Sequence, residues 1–297
     1  MNTSTFLKLC GLLFFVWAAS LMSTTSTFTQ TVLAAIPTTA VPAAEEAASP
    51  IQSVNKIRLL SPAAFSQVIS PLPVQAELQL YHVKTVRLDL LDTNGEVLSR
   101  KVYSFRTCSS EEQTSAVPLI LDIPMVACFQ PQVEIKTSLA FLMDKGAQKG
   151  YLQVMSADEE NRLRSLETVE LQLLSYGKQV FPAASASQNS LKIITPADGA
   201  QINGGKLIVQ GVASQTSSLP LRVFLTTDDG QVIGSRMVNI NQLAAHATSS
   251  ISASGDFTID VPYRLNQPKA ALLSVALYSE AFKGPFLLTS QEVMLNP

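Results

Sequence analysis

Apolar and polar residues alternate with a period of two along two stretches of this chain. Leu78, Leu80, Val83, Val86, Leu88 and Leu90 include runs of it, and Leu221, Val223 and Leu225 alternate cleanly with Arg222 and Phe224. That period sends one set of side chains to a buried face and the other outward, the pattern of a half-buried strand. Each stretch then meets turn chemistry, Thr93-Asn94-Gly95 in one and Asp228-Asp229-Gly230 in the other. Asn, Asp and Gly tolerate the positive φ of tight hairpins, so hairpins are expected at Leu88–Val102 and Val223–Val238. Short strands separated by turns over about 100 residues predict a two-sheet β-sandwich. One segment, Ala157–Leu166, has the composition of a short helix or of a solvated loop insertion.

The two stretches belong to an internal repeat. Val74-Gln75-Ala76 precedes Val209-Gln210-Gly211 by 135 residues, and the same offset aligns Val86–Leu90 with Leu221–Leu225 and Thr93–Leu98 with Asp228–Ile233. Upstream, Leu59–Pro62 matches Ile193–Pro196 at an offset one residue shorter. Downstream, Leu121-Asp122-Ile123-Pro124 aligns with Ile259-Asp260-Val261-Pro262, and Thr168–Leu171 with Glu292–Leu295. The expected fold class is therefore all-β, with two tandem sandwich domains at 55–176 and 191–297. The Pro-, Ala- and Ser-containing stretch 177–190 reads as a linker.

Ahead of the repeat the text changes character. Met1–Lys8 is polar with one positive charge, Leu9–Met22 is apolar over 14 residues, and a Ser/Thr-rich stretch ends at Val32-Leu33-Ala34-Ala35. This is the layout of a secretory signal peptide over 1–34, with cleavage expected after Ala34. The apolar run is too short as a helix to cross a ~30 Å hydrocarbon core, although an uncleaved anchor is the competing reading. Residues 35–54, rich in Ala, Pro, Thr and Ser, read as a flexible spacer. The expected location is extracellular or in a cell envelope.

The order of features in the second copy resembles the bacterial spore-germination-type immunoglobulin-like domain. The residues that carry the likeness are Ile193, Pro196, Gly199, Ala200, Ile202, Val209, Gly211, Ala213, Asp229, Gly230, Gly255 and Phe257. The first copy matches less well, with Ala63-Ala64-Phe65 where the second has Ala197-Asp198-Gly199, and Ala76 in place of Gly211. The resemblance implies an immunoglobulin-like β-sandwich in each copy and a place among exported envelope or cell-wall-associated proteins. Its motif residues are turn and core positions, so it speaks for fold more than for activity.

Charge and candidate chemistry narrow the function. A net charge of −2, with no basic stretch longer than Arg100-Lys101, argues against nucleic acid as a partner. Cys10 leaves with the signal, and Cys108 and Cys128 remain as a disulfide expected in an oxidising compartment. That bond closes a loop of about 20 residues and stabilises by roughly 3 kcal/mol in the chain-entropy model. Two thiolates alone do not complete a zinc shell, so no metal is expected. His82 and His246, the only histidines, lie outside any nucleophile-elbow pattern. Glu111-Glu112 and Asp158-Glu159-Glu160 read as solvated acids rather than a glycosidase pair. Asp92-Thr93-Asn94 and Asp228-Asp229 offer too few oxygens for calcium. No catalytic residue and no cofactor is expected. The chain reads as a non-enzymatic structural or adhesive module for a protein or cell-wall polymer, touching a membrane only through an uncleaved signal. The alternative is a glycan- or wall-binding module that stacks sugars on exposed Tyr81, Tyr103, Tyr151, Tyr176, Tyr263 and Tyr278.

Overall fold

A computed structural model describes residues 56–79, 83–106, 126–128, 132–144, 146–182, 190–213, 219–238, 250–251 and 255–297. The signal peptide and the spacer expected at 1–34 and 35–54 lie outside these residues. Every regular element among the described residues is a strand. The first copy contains β1 (Lys56–Ser61), β2 (Gln67–Ile69), β3 (Leu72–Gln79), β4 (Thr85–Leu91), β5 (Val97–Arg106), β6 (Val126–Cys128), β7 (Gln132–Leu139), β8 (Ala147–Ala157) and β9 (Leu163–Leu174). The second contains β10 (Leu191–Thr195), β11 (Ala200–Ile202), β12 (Lys206–Ala213), β13 (Leu221–Thr227), β14 (Val232–Val238), β15 (Ser250–Ile251), β16 (Asp256–Pro262), β17 (Lys269–Ser279) and β18 (Gly284–Leu295).

Each copy packs two sheets face to face. One sheet is β1-β3-β7 in the first copy and β10-β12-β16-β15 in the second. The facing sheet carries β9-β8-β4-β5 or β18-β17-β13-β14, with β2 and β11 adding in parallel to β9 and β18. The alternation read from sequence sets the cores. Leu72, Val74, Leu78, Val86, Leu88, Leu90, Ile135, Leu152 and Val154 are buried together in the first. Leu207, Val209, Val223, Leu225, Phe257, Ile259, Leu273 and Val275 are buried together in the second. The fold is all-β, built of β-sandwich sheets, and both expected hairpins form, as β4–β5 and β13–β14. Each carries a register shift beside its turn, and Gly95 and Gly230 sit at φ 85° and 78°.

Three expectations are corrected. Ile259–Pro262 lies in β16, which pairs with β12 as β7 pairs with β3, so its counterpart is β7 and not Leu121–Pro124. Those last four residues lie outside the described ones. The final strands align two residues away from the expected match. The backbone carbonyl of Glu170 accepts the Phe65 N–H and that of Glu292 the Gly199 N–H, at 2.7 and 2.8 Å, which makes Glu170 and Glu292 equivalent, 122 residues apart. A slip of two keeps every side chain on its own face, so alternation does not detect it. Finally, Ala157–Leu166 is neither helix nor solvated loop. It is the end of β8, a tight turn and the start of β9, with Asp158 and Arg164 buried.

The segment after β9 also does more than link. Val180 and Gln67 exchange two backbone hydrogen bonds of 2.9 Å, and Gln179 Nε2 donates to Ile69 O at 3.1 Å, so residues 178–181 run back along β2.

The two copies share one sheet. β9 pairs antiparallel with β18, joining the halves in the order β14-β13-β17-β18-β9-β8-β4-β5-β6. At the centre of that pairing Leu166 faces Leu288, with Ser165 opposite Thr289 and Glu167 opposite Leu287. Leu166 and Leu288 are themselves 122 residues apart, and so are Ser165 and Leu287, and Glu167 and Thr289. Equivalent residues facing each other, with their flanks exchanged, is the relation a local two-fold axis produces.

Candidate functional site

The joint between the copies gathers most of the buried chemistry. Residues 150–156 of β8 are all buried, although only alternate ones point into the first core. The others are covered by the second copy. Met155 and Leu166 pack with Ala276 and Leu288, and Leu91 and Tyr151 pack with Phe282. The Tyr151 and Phe282 rings lie 4.9 Å apart. Phe282 sits in the β17–β18 turn and covers the β4–β5 turn of the first copy, where a Cβ added to Gly95 would lie 3.1 Å from Phe282 O. Gly95 is thus fixed twice, by its positive φ and by the neighbouring backbone.

The β8–β9 turn reaches the other way. Asp158 accepts from the Arg162 backbone N–H at 2.8 Å and from Arg162 Nε at 2.9 Å. Arg162 Nη1 crosses to Asp228 at 2.5 Å, and Arg164 Nη1 to Glu292 at 2.9 Å. Burial disfavours the Arg162 charge, but the Asp158 hydrogen bond and the charges of Asp158, Asp228 and Glu160 outweigh it and hold the guanidinium above its ordinary pKa. Further bonds span the joint: Ser290 Oγ donates to Arg164 O at 2.7 Å, and Gln153 Nε2 to Pro285 O at 3.2 Å. Asp158, buried between the Arg162 and Arg164 guanidinium groups, clamps the turn.

The other candidates divide as follows. Asp92 spends one carboxylate oxygen on the N–H groups of Asn94 and Glu96, both at 2.8 Å, which is the closing of a turn rather than a cation site. Asp229 accepts from Thr227 and from Lys269, and both bonds hold its carboxyl below the ordinary carboxylate range. Among the described residues no three of His, Cys, Asp and Glu come together as a metal site. Glu111, Glu112, His82, His246 and Cys108 lie outside the described residues. Cys128 ends β6, which runs parallel to β5.

The tyrosines correct the stacking reading. Tyr103, Tyr151 and Tyr263 are buried, and the Tyr263 hydroxyl donates to Ile202 O or Asn296 O, at 3.2 and 2.9 Å. The Tyr278 hydroxyl is tied to Lys283 O, and Tyr81 lies outside the described residues. Tyr176 is the one ring among the described tyrosines that stands free of the surface. The described tyrosines therefore form no aligned platform on a sheet face. A pocket of about 720 Å³ opens in the second copy beside Gln231, Ile233, Arg264, Leu265, Asn266 and Lys269. Cations and amides line it, without an acid–base pair.

No family model matches the chain, and no curated protein matches it. Solved structures with some likeness include the fibronectin(III)-like modules of Clostridium thermocellum CbhA, at 13% identity over 81% of this chain and 93% of that one, with a TM-score of 0.24. A marsupial T cell receptor matches at 10% identity over 81% and 73%, with a TM-score of 0.27. Dpr2 Ig1-Ig2, in complex with DIP-Theta Ig1-Ig3, matches at 7% over 81% and 97%, with a TM-score of 0.23. These are immunoglobulin- and fibronectin-type chains, and overlaps this low carry no argument about activity.

Proposed function

We propose that this chain is an exported, non-enzymatic surface or envelope protein that works as a structural or adhesive binding module, with a protein or a cell-wall polymer as its partner. The observation that carries the reading is the shared sheet across β9 and β18. Its largely buried Arg162 and Arg164 reach Asp228 and Glu292 of the other copy, and its polar turns are closed by their own side chains. Such a body offers loops and edges at fixed spacing. The leader-like start, the Ala/Pro/Ser/Thr-rich stretch after it and the resemblance to spore-germination-type immunoglobulin-like domains support export to an envelope. The Cys108–Cys128 bond belongs to the same reading, since the compartment would be oxidising.

The mass of the protein recovered from an exporting bacterial host, alkylated without reductant, tests this reading. It predicts a chain beginning at Ala35, lighter than the dithiol by one pair of hydrogens and free of alkyl groups. A full-length chain with alkylated thiols would contradict it.

A further inference from the structure

The repeat supplies an internal control for the surface, because most turns of one copy have a counterpart in the other. Phe65 occupies the position of Gly199: both follow a turn after a Ser-Pro or Thr-Pro pair, both donate to the equivalent glutamates, and both have positive φ, 64° and 75°. A phenylalanine there bears a backbone cost of about 1 kcal/mol that glycine avoids. Its ring is nonetheless 71% exposed. Leu142 follows the buried Phe141 as Arg264 follows the buried Tyr263, and Leu142 is 92% exposed. Where the second copy has glycine and arginine, the first has two exposed apolar side chains.

They do not stand alone. The Phe141 N–H donates to Ser70 Oγ at 3.0 Å, and the Ser175 N–H to Gly146 O at 3.1 Å, which sets Leu142 and Tyr176 at the same end of the first sandwich. From there residues 178–181 run back beside β2 and carry Val180 and Phe181 toward Phe65. Tyr176, Val180 and Phe181 are 78%, 49% and 42% exposed. With about 150–250 Å² per aromatic side chain, the five residues expose roughly 600 Å² of mainly apolar surface. That reaches the upper end of what monomers show and approaches the ~800 Å² per partner of a stable interface. Exposed charges of both signs, Asp144 and Lys178 among them, lie beside it among the described residues. A two-fold axis can set an acid on one copy against a base on the other.

We infer that this strip, Phe65, Leu142, Tyr176, Val180 and Phe181, is the contact through which two molecules of this chain form a two-fold dimer. The inference holds whether or not the chain is exported. Sedimentation equilibrium of the protein from the exporting host is the test, run beside a Phe65→Gly/Leu142→Arg variant. That variant installs the residues the second copy already carries at these turns, so its fold has a precedent in the same molecule. A Tyr176→Ser variant, at a largely exposed position, is the second probe. The wild type is expected to dimerise with rising concentration, and both variants to associate at least about tenfold more weakly with unchanged circular dichroism. A wild type that stays monomeric, or a dimer that both variants leave intact, would overturn the inference. So would a monomer that instead sediments with phosphatidylcholine–phosphatidylglycerol vesicles through the same residues, which assigns the strip to a lipid surface.

Discussion

Gly211 and Phe257 face each other across the β12–β16 ladder, where the first copy has Ala76 facing Ile135. A Cβ on Gly211 would fall 2.4 Å from Phe257 Cζ and 2.3 Å from Lys192 O, so the larger ring occupies the space the missing methyl leaves. In the first copy the volumes are shared the other way. Both motif residues were visible in the sequence, but their partnership depends on cross-strand register, which one strand's alternation does not contain. Gly211→Ala is expected to cost about 2–3 kcal/mol by overpacking. Adding Phe257→Ile, the first copy's solution, recovers part of it, with a coupling of about 1 kcal/mol or more in a double-mutant cycle by urea unfolding. Independent, additive effects would show that the two positions are not matched.

At the scale of elements, the β8–β9 turn shows where local composition misleads. Ala157–Leu166 is rich in helix-forming Ala, Glu, Arg and Leu, yet propensity is a weak prior beside the long ladder that holds β8 against β9. The acidic run also hid unlike residues, since Asp158 is buried while Glu159 and Glu160 are not. Nothing in one copy reveals that Arg162 and Arg164 end against the other. Truncating Arg162→Ala leaves Asp158 buried without its main partner and is expected to cost about 3 kcal/mol in chemical denaturation. Asp228→Asn, at the exposed end of the same contact, is expected to change stability by less than about 1 kcal/mol. Equal losses would mean that the crossing ion pair, not burial of Asp158, holds the turn.

At the scale of the whole molecule, the repeat, the two cores and the hairpins followed from a period of two and from turn residues, because those features are local. The joint did not follow. Tyr151, Met155 and Leu166, with Leu272, Ala276 and Leu288, lie on the face opposite the cores, and their apolar or small side chains were the available signal that this face meets something. Strand alternation assigns that face to solvent, and only the pairing of β9 with β18 says what covers it. The two copies form one body with a local two-fold axis rather than two beads on a linker. The most direct test inserts a protease site between residues 183 and 189 and follows the cut protein by gel filtration. If the joint at Leu166 and Leu288 is real, the two fragments co-elute at the position of the uncut chain. Two separate peaks, one for each fragment, would contradict it.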